Sequence, residues 1–509
     1  MGSMDTFYTY VGQHWDDILV SGYENGIKFN RKVKYTPYLF VPGNGEFKTV
    51  DGKNLSRIDF DSIKEAREFA KQYDEIANFK IYGLSNYPYV YLYEKYRKLS
   101  VDAKKIRVGN LDIETDSQDG YGNIQLADRA IVSITIKVLR EKEIFVLGLK
   151  PYQTEEPELL DMITKGYKIK YVECVNEAML LRRFIKIWQH LELDATMGWN
   201  SKMFDIPYII KRIKQTLTEK DALELSPFNR IDKGEVTMYG RVNDVFTICG
   251  VPHLDYIEVY QKFSTPANGR EESYTLNYIS GKILKATKLD YSEYRTLAAL
   301  YNQNFNKFID YNIIDVLRVE QLEEYLKYLE LVFTIAYFAG INYEDTFGTI
   351  RPWDIMIHNY LMDRGIAIPT KVRNTKERQI AGGHVKDPHV GRHEHVISFD
   401  FTSLYPMLIQ SFNISPETLL GSFDPVVGDY SVDKILSGIM SQYVDEMVEN
   451  NVAITGKGTV FSRDKQGFMP ALMQELFAER KRYTAIEEAA DAKLAPVMTE
   501  IERRGIKTK

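Results

Sequence analysis

A chain of 509 residues is too long for one hydrophobic core, since single cores stop growing near roughly 250–300 residues, so at least two domains are expected and three fit the length well. Its composition, 44% hydrophobic and 27% charged, excludes the disordered and collagen-like classes. The net charge of −6 weighs mildly against a nucleic-acid partner. Acidic metal sites can offset that weight, because they lower the total while local basic runs such as Lys202–Lys214 and Arg480–Arg482 do the gripping.

Two cysteines, Cys174 and Cys249, cannot build a disulfide framework or a four-ligand zinc site alone, so a reducing cytoplasmic setting and core positions are expected. The longest apolar stretch, Leu331–Ile341, is shorter than the roughly 18 residues of a membrane span, so no membrane partner is expected. Met1-Gly2-Ser3-Met4 reads as an expression scar before a native initiator, with no targeting signal.

In chain order, Phe7–Val11 alternates like a strand and Asp61–Tyr73 has helical spacing. Strands are predicted at Ile106–Ile113, Ala130–Lys137 and Glu143–Leu147, then a helix at Asn176–Leu191, an α/β order. Glu235–Cys249 alternates about Met238-Tyr239-Gly240-Arg241 as a β-hairpin does. Helices are predicted over Tyr274–Phe338, with a break near Thr287–Asp290, and over Pro352–Met362. A polar loop at Pro369–Arg378 and the punctuation Gly382-Gly383 precede a strand at Val396–Phe401. Pro470–Arg503 is a long helix former with a kink or break predicted at Pro496.

Three short patterns carry chemistry. Asp112 and Glu114 lie two apart on a strand and emerge from one face of the pleat. Such a pair is stable when a divalent cation neutralises it, although an Asp-x-Glu at a solvated strand end is also common. Asn200 to Pro207 leads from a loop into a helix, where Asp205 fits a cap as well as a ligand. Tyr311 and Asp315 are four apart on one helical face, which equally suits a packed tyrosine and an exposed aspartate.

The ordered set, strand Asp-x-Glu, then Asn-x-x-x-Phe-Asp, then Tyr-x-x-x-Asp, resembles the three motifs of the DEDDy proofreading 3′→5′ exonucleases. That resemblance implies a ribonuclease-H-like sheet. It makes Asp112, Glu114, Asp205 and Asp315 the ligands of two Mg²⁺ or Mn²⁺ ions, and Tyr311 the residue that orients the attacking water. Two such ions stabilise both oxygens of an in-line displacement, so no covalent nucleophile is needed. Asn200 and Phe204 then hold the terminal nucleotide by hydrogen bonding and stacking, with a core position open for Phe204.

Val396-Ile397-Ser398-Phe399-Asp400-Phe401-Thr402-Ser403-Leu404-Tyr405-Pro406 resembles motif A of the family B DNA polymerases. By that resemblance Asp400 and the Phe401 carbonyl hold metal at a second two-ion site. Ser403 and Leu404 belong to the nucleotide pocket, and Tyr405 is the gate against a ribose 2′-OH. Trp353-Asp354, Asn413-Ile414-Ser415-Pro416-Glu417-Thr418 and His253-Leu254-Asp255-Tyr256 narrow the likeness to the polymerases of T-even-type phages, from about Tyr8 onward. The hairpin at Glu235–Cys249 is then either the element that separates primer from template or an ordinary sheet hairpin.

Two departures stand out. The family's Tyr-x-Gly-Gly appears as Ile380-Ala381-Gly382-Gly383, and the fingers segment reads Glu479-Arg480-Lys481-Arg482 with Thr484 where the family has a lysine. Arg480 takes the role of gripping the triphosphate, against the alternative of a solvated charge run.

The expected fold is α/β multidomain. It comprises a mixed α/β N-terminal domain at 5–106 completed by 340–380, a ribonuclease-H-like exonuclease domain at 107–339, a partial palm at 381–466 and one fingers helix in 467–509. No Asp-Thr-Asp occurs, so the second metal-binding aspartate of polymerisation is missing. The expectation is a naturally split polymerase, preferred over an artificial truncation or a degenerate remnant, its C-terminal chain supplying the rest of palm, fingers and thumb and the only route to a sliding clamp. Its substrates would be primer-template DNA, single-stranded 3′ ends and dNTPs. The alternative is a free-standing exonuclease with a vestigial polymerase part. The apolar residues of Leu472–Ile501 are expected to form a stripe that needs a partner.

Overall fold

In a computed structural model of the chain, the described residues are 6–503 apart from 74–75, 77–78, 98, 100, 119, 121, 239, 371–386, 402 and 424–430. Most of the Pro369–Arg378 loop, Ile380–Gly383, Thr402 and Tyr239 therefore lie outside them. Packing divides the chain into two units, one drawn from 1–39, 58–77 and 84–359, the other from 40–57, 78–83 and 360–509.

The first unit opens with an antiparallel sheet of β1 (Phe7–His14), β2 (Asp17–Glu24) and β3 (Ile27–Lys34). The strands β4 (Tyr38–Lys48) and β5 (Asn54–Asp59) pair with each other and lie mostly in the second unit; α1 (Ile63–Tyr73) and α2 (Tyr87–Lys95) follow in the first. Strand β1 is tied to a distant segment: the Asn342 side chain both accepts from Val11 N at 2.9 Å and donates to Val11 O at 2.7 Å.

Its centre is a six-stranded mixed sheet. In chain order come β6 (Val108–Thr115), β7 (Ile131–Val138), β8 (Glu143–Gly148), α3 (Pro157–Thr164), β9 (Lys168–Glu173), α4 (Glu177–Leu191) and β10 (Ala195–Gly198). Then follow α5 (Asp205–Thr216), α6 (Glu219–Leu223), the hairpin β11 (Ile231–Met238) and β12 (Arg241–Ile248), and β13 (His253–Asp255). The spatial order is β13-β10-β6-β7-β8-β9. Strand β10 runs parallel to both β13 and β6, while β7 is antiparallel to β6 and β8.

Helices α7 (Tyr256–Asn268), α8 (Leu276–Leu284), α9 (Leu297–Gln303), α10 (Phe305–Leu326), α11 (Tyr328–Ala339) and α12 (Ile350–Met362) follow. The predicted break at Thr287–Asp290 falls between α8 and α9.

Side-chain alternation explains how the sheet is covered. Leu111 and Ile113 of β6 join Ile134 and Ile136 of β7 on one face, packed with Leu181, Phe184 and Trp188 of α4 and with Ile206, Ile209 and Ile213 of α5. The opposite face carries Asp112 across from Thr135 and Glu114 across from Ser133. That polar face is closed by α10, whose Asn312 and Glu320 meet Thr135 and Lys137. The local sequence fixes the helix ends: Asn176 accepts from Met179 N to start α4, and Asn304 accepts from Lys307 N to start α10. Cys174 and Cys249 are both buried.

In the second unit, α13 (Leu404–Ser411), β14 (Leu419–Ser422), α14 (Ser431–Leu436), α15 (Val444–Glu449), β15 (Val452–Ile454) and β16 (Thr459–Ser462) lead to α16 (Phe468–Arg503). The tract Asn413–Thr418 anchors α16: Asn413 donates to the Ser462 and Lys465 carbonyls and accepts from Gly467 N, while Glu417 accepts from Phe468 N at 2.6 Å. A Cβ at Gly467 would lie 2.5 Å from that of Ser415, so no larger residue fits there.

Two expectations are corrected here. Val396–Phe401 is not a strand: no neighbouring strand among the described residues offers it a ladder, and Ile397, Phe399 and Phe401 stay exposed. Helix α16 is continuous through Pro496, so of the kink or break expected there, the break does not occur. Leu472 is buried, whereas Tyr483, Ile486 and Leu494 are exposed.

Lys137 and Glu320 form a buried ion pair at 2.6 Å between β7 and α10. Removing one partner strands the other charge in the interior, a cost of about 3–5 kcal/mol. Glu320→Leu should therefore lower the denaturant-unfolding free energy of this unit by about that much, and Lys137→Met in the same chain should restore most of it. A single variant within about 0.5 kcal/mol of wild type would contradict the assignment.

Candidate active site

Strand β6 enters the site with Asp112 and Glu114 on the face covered by α10, and α10 supplies Asp315. One carboxylate oxygen from each of the three lies within 4.8 Å of the others. The periodicities of strand and helix thus meet as the sequence patterns anticipate. Asp112 and Glu114 are half-buried and Asp315 is 4% exposed.

Asp205 stands apart from that three-residue group. It is buried at the first turn of α5, and its Oδ1 accepts from the backbone N–H of Ile113, the residue between Asp112 and Glu114, at 3.0 Å. The structure thus brings three of the four expected acids into one cluster and sets the fourth against the backbone beside it.

Every one of these acids is harder to ionise than an isolated carboxyl. Burial, then the charge of Asp315, pushes Asp112 up to about 7. Burial, then Asp112 and Asp315, raises Glu114 well above its ordinary value, and burial followed by Asp112 does the same to Asp205. Asp315 is raised chiefly by burial, with Lys288 pulling the other way.

Lys288, from the break between α8 and α9, makes an ion pair with Asp315 Oδ2 and donates to the Tyr311 hydroxyl at 3.0 Å. Burial disfavours its charge, yet Asp315, Tyr311 and Asp112 outweigh that and hold its ammonium above the ordinary range. Tyr311 is buried one turn before Asp315, and burial followed by Asp315 raises its phenol.

The donor set fits a divalent cation. Asp315 Oδ1 is buried with no hydrogen-bond partner, which is costly for a carboxylate oxygen unless something electropositive meets it. Three hard oxygens around one point are the ligands that Mg²⁺ or Mn²⁺ takes.

Beside the cluster, the loop 199–204 is held by Asp255 at the end of β13. The Asp255 carboxylate accepts from Asn200 N at 3.1 Å, Lys202 N at 2.9 Å and Ile257 N at 3.0 Å. Burial outweighs these bonds and lifts Asp255 to about 6. His253 locks the same loop: its ring lies 2.8 Å from Ser201 Oγ and 2.9 Å from Thr196 Oγ1, and burial lowers it to about 3, so it is neutral. Asn200 takes a left-handed φ of 62° and is exposed, with its side chain available to solvent. Phe204 is half-buried against the core and Tyr208, so packing occupies much of that ring.

In the other unit, Ser403 and Arg480 meet, the guanidinium donating to Ser403 Oγ at 3.1 Å. Ser403 sits at φ 53° before α13. Asp400, Phe401, Leu404 and Tyr405 are exposed, and Asp400 joins no group of three acids among the described residues. Sequence reading missed Lys288, Asn312 and Asp255. Lys288 lies in the break that the reading marked and Asn312 follows Tyr311 directly, but nothing in their spacing announced a role.

A sequence model described as "DNA polymerase family B, exonuclease domain" matches residues 85–279, and one described as "DNA polymerase family B" matches 350–507. A DNA-directed DNA polymerase of Escherichia phage RB69 is 32% identical over 510 residues, covering 96% of this chain and 54% of its own length. Its counterpart from Enterobacteria phage T4 is 28% identical over 483 residues, with 90% and 51% covered, and a DNA polymerase of Thermococcus litoralis is 25% identical over 342 residues, with 64% and 18% covered. The chain spans about half the length of the two phage relatives. With two family matches in order and relatives aligned over nearly all of it, the chain belongs to the family B DNA polymerases and carries their exonuclease domain.

Proposed function

We propose that the chain removes nucleotides from DNA 3′ ends by a two-metal reaction and contributes one half of a polymerase site. The observation that carries the nuclease reading is the meeting of Asp112, Glu114 and Asp315 around one point, with a partnerless oxygen on Asp315. Asp112, Glu114, Asp315 and Asp205 would hold two Mg²⁺ or Mn²⁺ ions. When bound, the ions supply charge stabilisation for the attacking and leaving oxygens of an in-line displacement.

The protein's own groups do the rest. Tyr311 orients the attacking water, with Lys288 fixing its hydroxyl. Asn200 hydrogen-bonds the terminal nucleotide from a loop pinned by Asp255, and the outer edge of Phe204 stacks on its base. A ribonuclease-H-like sheet is the reading we favour for the six strands, within a division into an N-terminal domain (5–106 with 340–380), an exonuclease domain (107–339), a partial palm (381–466) and the first part of the fingers (467–509). The hairpin β11–β12 is proposed to part primer from template.

For polymerisation, Asp400 and the Phe401 carbonyl would hold two further ions, Tyr405 would exclude the 2′-OH, and Ser403, Leu404 and Arg480 would receive the dNTP. The Arg480–Ser403 contact supports that grouping. The reaction needs a second carboxylate, so we infer that further polypeptide completes palm, fingers and thumb. A second, C-terminal chain is the form we favour, and any sliding clamp would be reached through it. The exposure of Asp400 is what favours the rival reading, a nuclease whose polymerase part is vestigial. Among the described residues no helix is long and apolar enough to cross a membrane, and the cytoplasm of a phage's host is the proposed location.

Three outcomes test these proposals. A 5′-labelled single-stranded oligonucleotide with Mn²⁺ should shorten from its 3′ end, and Asp112→Asn or Asp315→Asn should slow this by at least about a hundredfold, since loss of an outer-shell partner alone costs up to about that. Shortening unchanged in both variants would remove these acids from the reaction.

The second concerns pH. Asp112 has a folded value near 7, above its unfolded carboxylate value. In metal-free protein it binds more protons folded than unfolded, so its contribution favours folding at low pH and is lost as pH rises through about 7. Divalent ions replace those protons. The rise in Tm on adding Mn²⁺ should therefore be larger at pH 8 than at pH 6 by several degrees, and an equal rise at both would count against the site. The expected several-degree scale is that of roughly 1–2 kcal/mol.

Third, primer extension with dNTPs should be absent for this chain alone and should appear on adding a polypeptide carrying the remaining palm, fingers and thumb. Asp400→Asn should abolish it in the reconstituted enzyme. Extension by the lone chain would refute the inference, and none from the reconstituted pair would favour the vestigial reading.

A further inference from the structure

Directly after Tyr311, Asn312 is wholly buried between α10 and the sheet, at 0% exposure. Its Nδ2 donates to Asp112 Oδ2 at 2.6 Å. Its Oδ1 accepts from Ser133 Oγ at 3.0 Å and Thr135 Oγ1 at 2.5 Å. These two hydroxyls belong to β7, and the cross-strand register places Thr135 opposite Asp112 and Ser133 opposite Glu114. One amide therefore joins the helix that bears Asp315, the strand that bears Asp112 and Glu114, and the strand beside it.

The direction of that amide is settled by chemistry. A carboxylate can only accept, and a hydroxyl can do either. Turned the other way, Asn312 would set its carbonyl oxygen against Asp112, so the stable arrangement is NH₂ toward the carboxylate and C=O toward the two hydroxyls. We infer that Asn312 is a positioning residue for the metal site, holding Asp112 by Oδ2 so that its other oxygen faces the point it shares with Glu114 and Asp315. Without that anchor, Asp112 is free to turn away from two like-charged neighbours. Groups that orient a ligand in this way typically contribute 10–100-fold to metal affinity.

This inference rests on the nuclease reading, and the experiment separates the two. Mn²⁺ binding is measured directly from the free-ion electron paramagnetic resonance signal, alongside the rate on a single-stranded oligonucleotide across a Mn²⁺ titration. Wild type and Asp112→Asn calibrate the site; if wild type takes up no Mn²⁺ and shortens no DNA, the nuclease reading itself fails. Given a working wild type, Asn312→Leu, close in size and lacking the amide, should weaken Mn²⁺ binding by about 10–100-fold, with most of the rate recovered at saturating Mn²⁺. Thr135→Val removes one of the two hydroxyls that steer the amide and should weaken binding in the same direction by a smaller factor. It also decides the matter should Asn312→Leu fail to fold by near-UV circular dichroism. Wild-type Mn²⁺ affinity in the folded variants, or a rate loss that no Mn²⁺ concentration restores, would overturn the assignment.

Discussion

Three carboxylates gathered around one point repel one another, and the surrounding structure is arranged to hold them there. At the outer limit of their separation, 4.8 Å, two like charges cost about 3.5 kcal/mol at an effective dielectric of about 20, and the lowered polarity under α10 works in the same direction. Burial is the first cause of the upward shift of all four acids, and a neighbouring carboxylate adds to it for Asp112, Glu114 and Asp205. Lys288 offsets part of it through Asp315, and Asn312 and the Ile113 N–H engage Asp112 and Asp205. What remains, including the partnerless Asp315 oxygen, is the electrostatic deficit that the proposed divalent cation would fill.

Rigid elements make the arrangement possible. The β6 pleat sends Asp112 and Glu114 out together, the β6–β7 register sets Thr135 and Ser133 beside them, and α10 lays one polar stripe along that face. The same stripe ends in the buried Lys137–Glu320 pair, so α10 is fixed to the sheet both beside the acidic cluster and farther along the helix. The loop bearing Asn200 hangs from a different strand, β13, through Asp255 and His253.

Much of this was legible in the sequence. Strand and helix periods predicted β6, β7, β8, α4, the β11–β12 hairpin and α12 to within a few residues, and the face shared by Asp112 and Glu114 followed from the pleat alone. Asp205 was read correctly as standing at a helix start, but its turn toward the Ile113 amide was not foreseeable, because a cap and a ligand have the same local sequence. Lys288 and Asn312 were missed for a related reason: their meaning lies in contacts made across long sequence separations, and a lysine in a loop or an asparagine in a helix has no periodic signature. The strand predicted at Val396–Phe401 has the right alternation, yet a strand is completed by its neighbour, and none among the described residues pairs with it.

The most direct measurement is anomalous diffraction from crystals of this chain soaked in Mn²⁺ near neutral pH. The account predicts strong peaks within coordination distance of Asp112, Glu114 and Asp315, with Asp315 Oδ1 among the ligands and Asp205 turning toward a second ion. Full occupancy elsewhere with no peak among those three acids would contradict it.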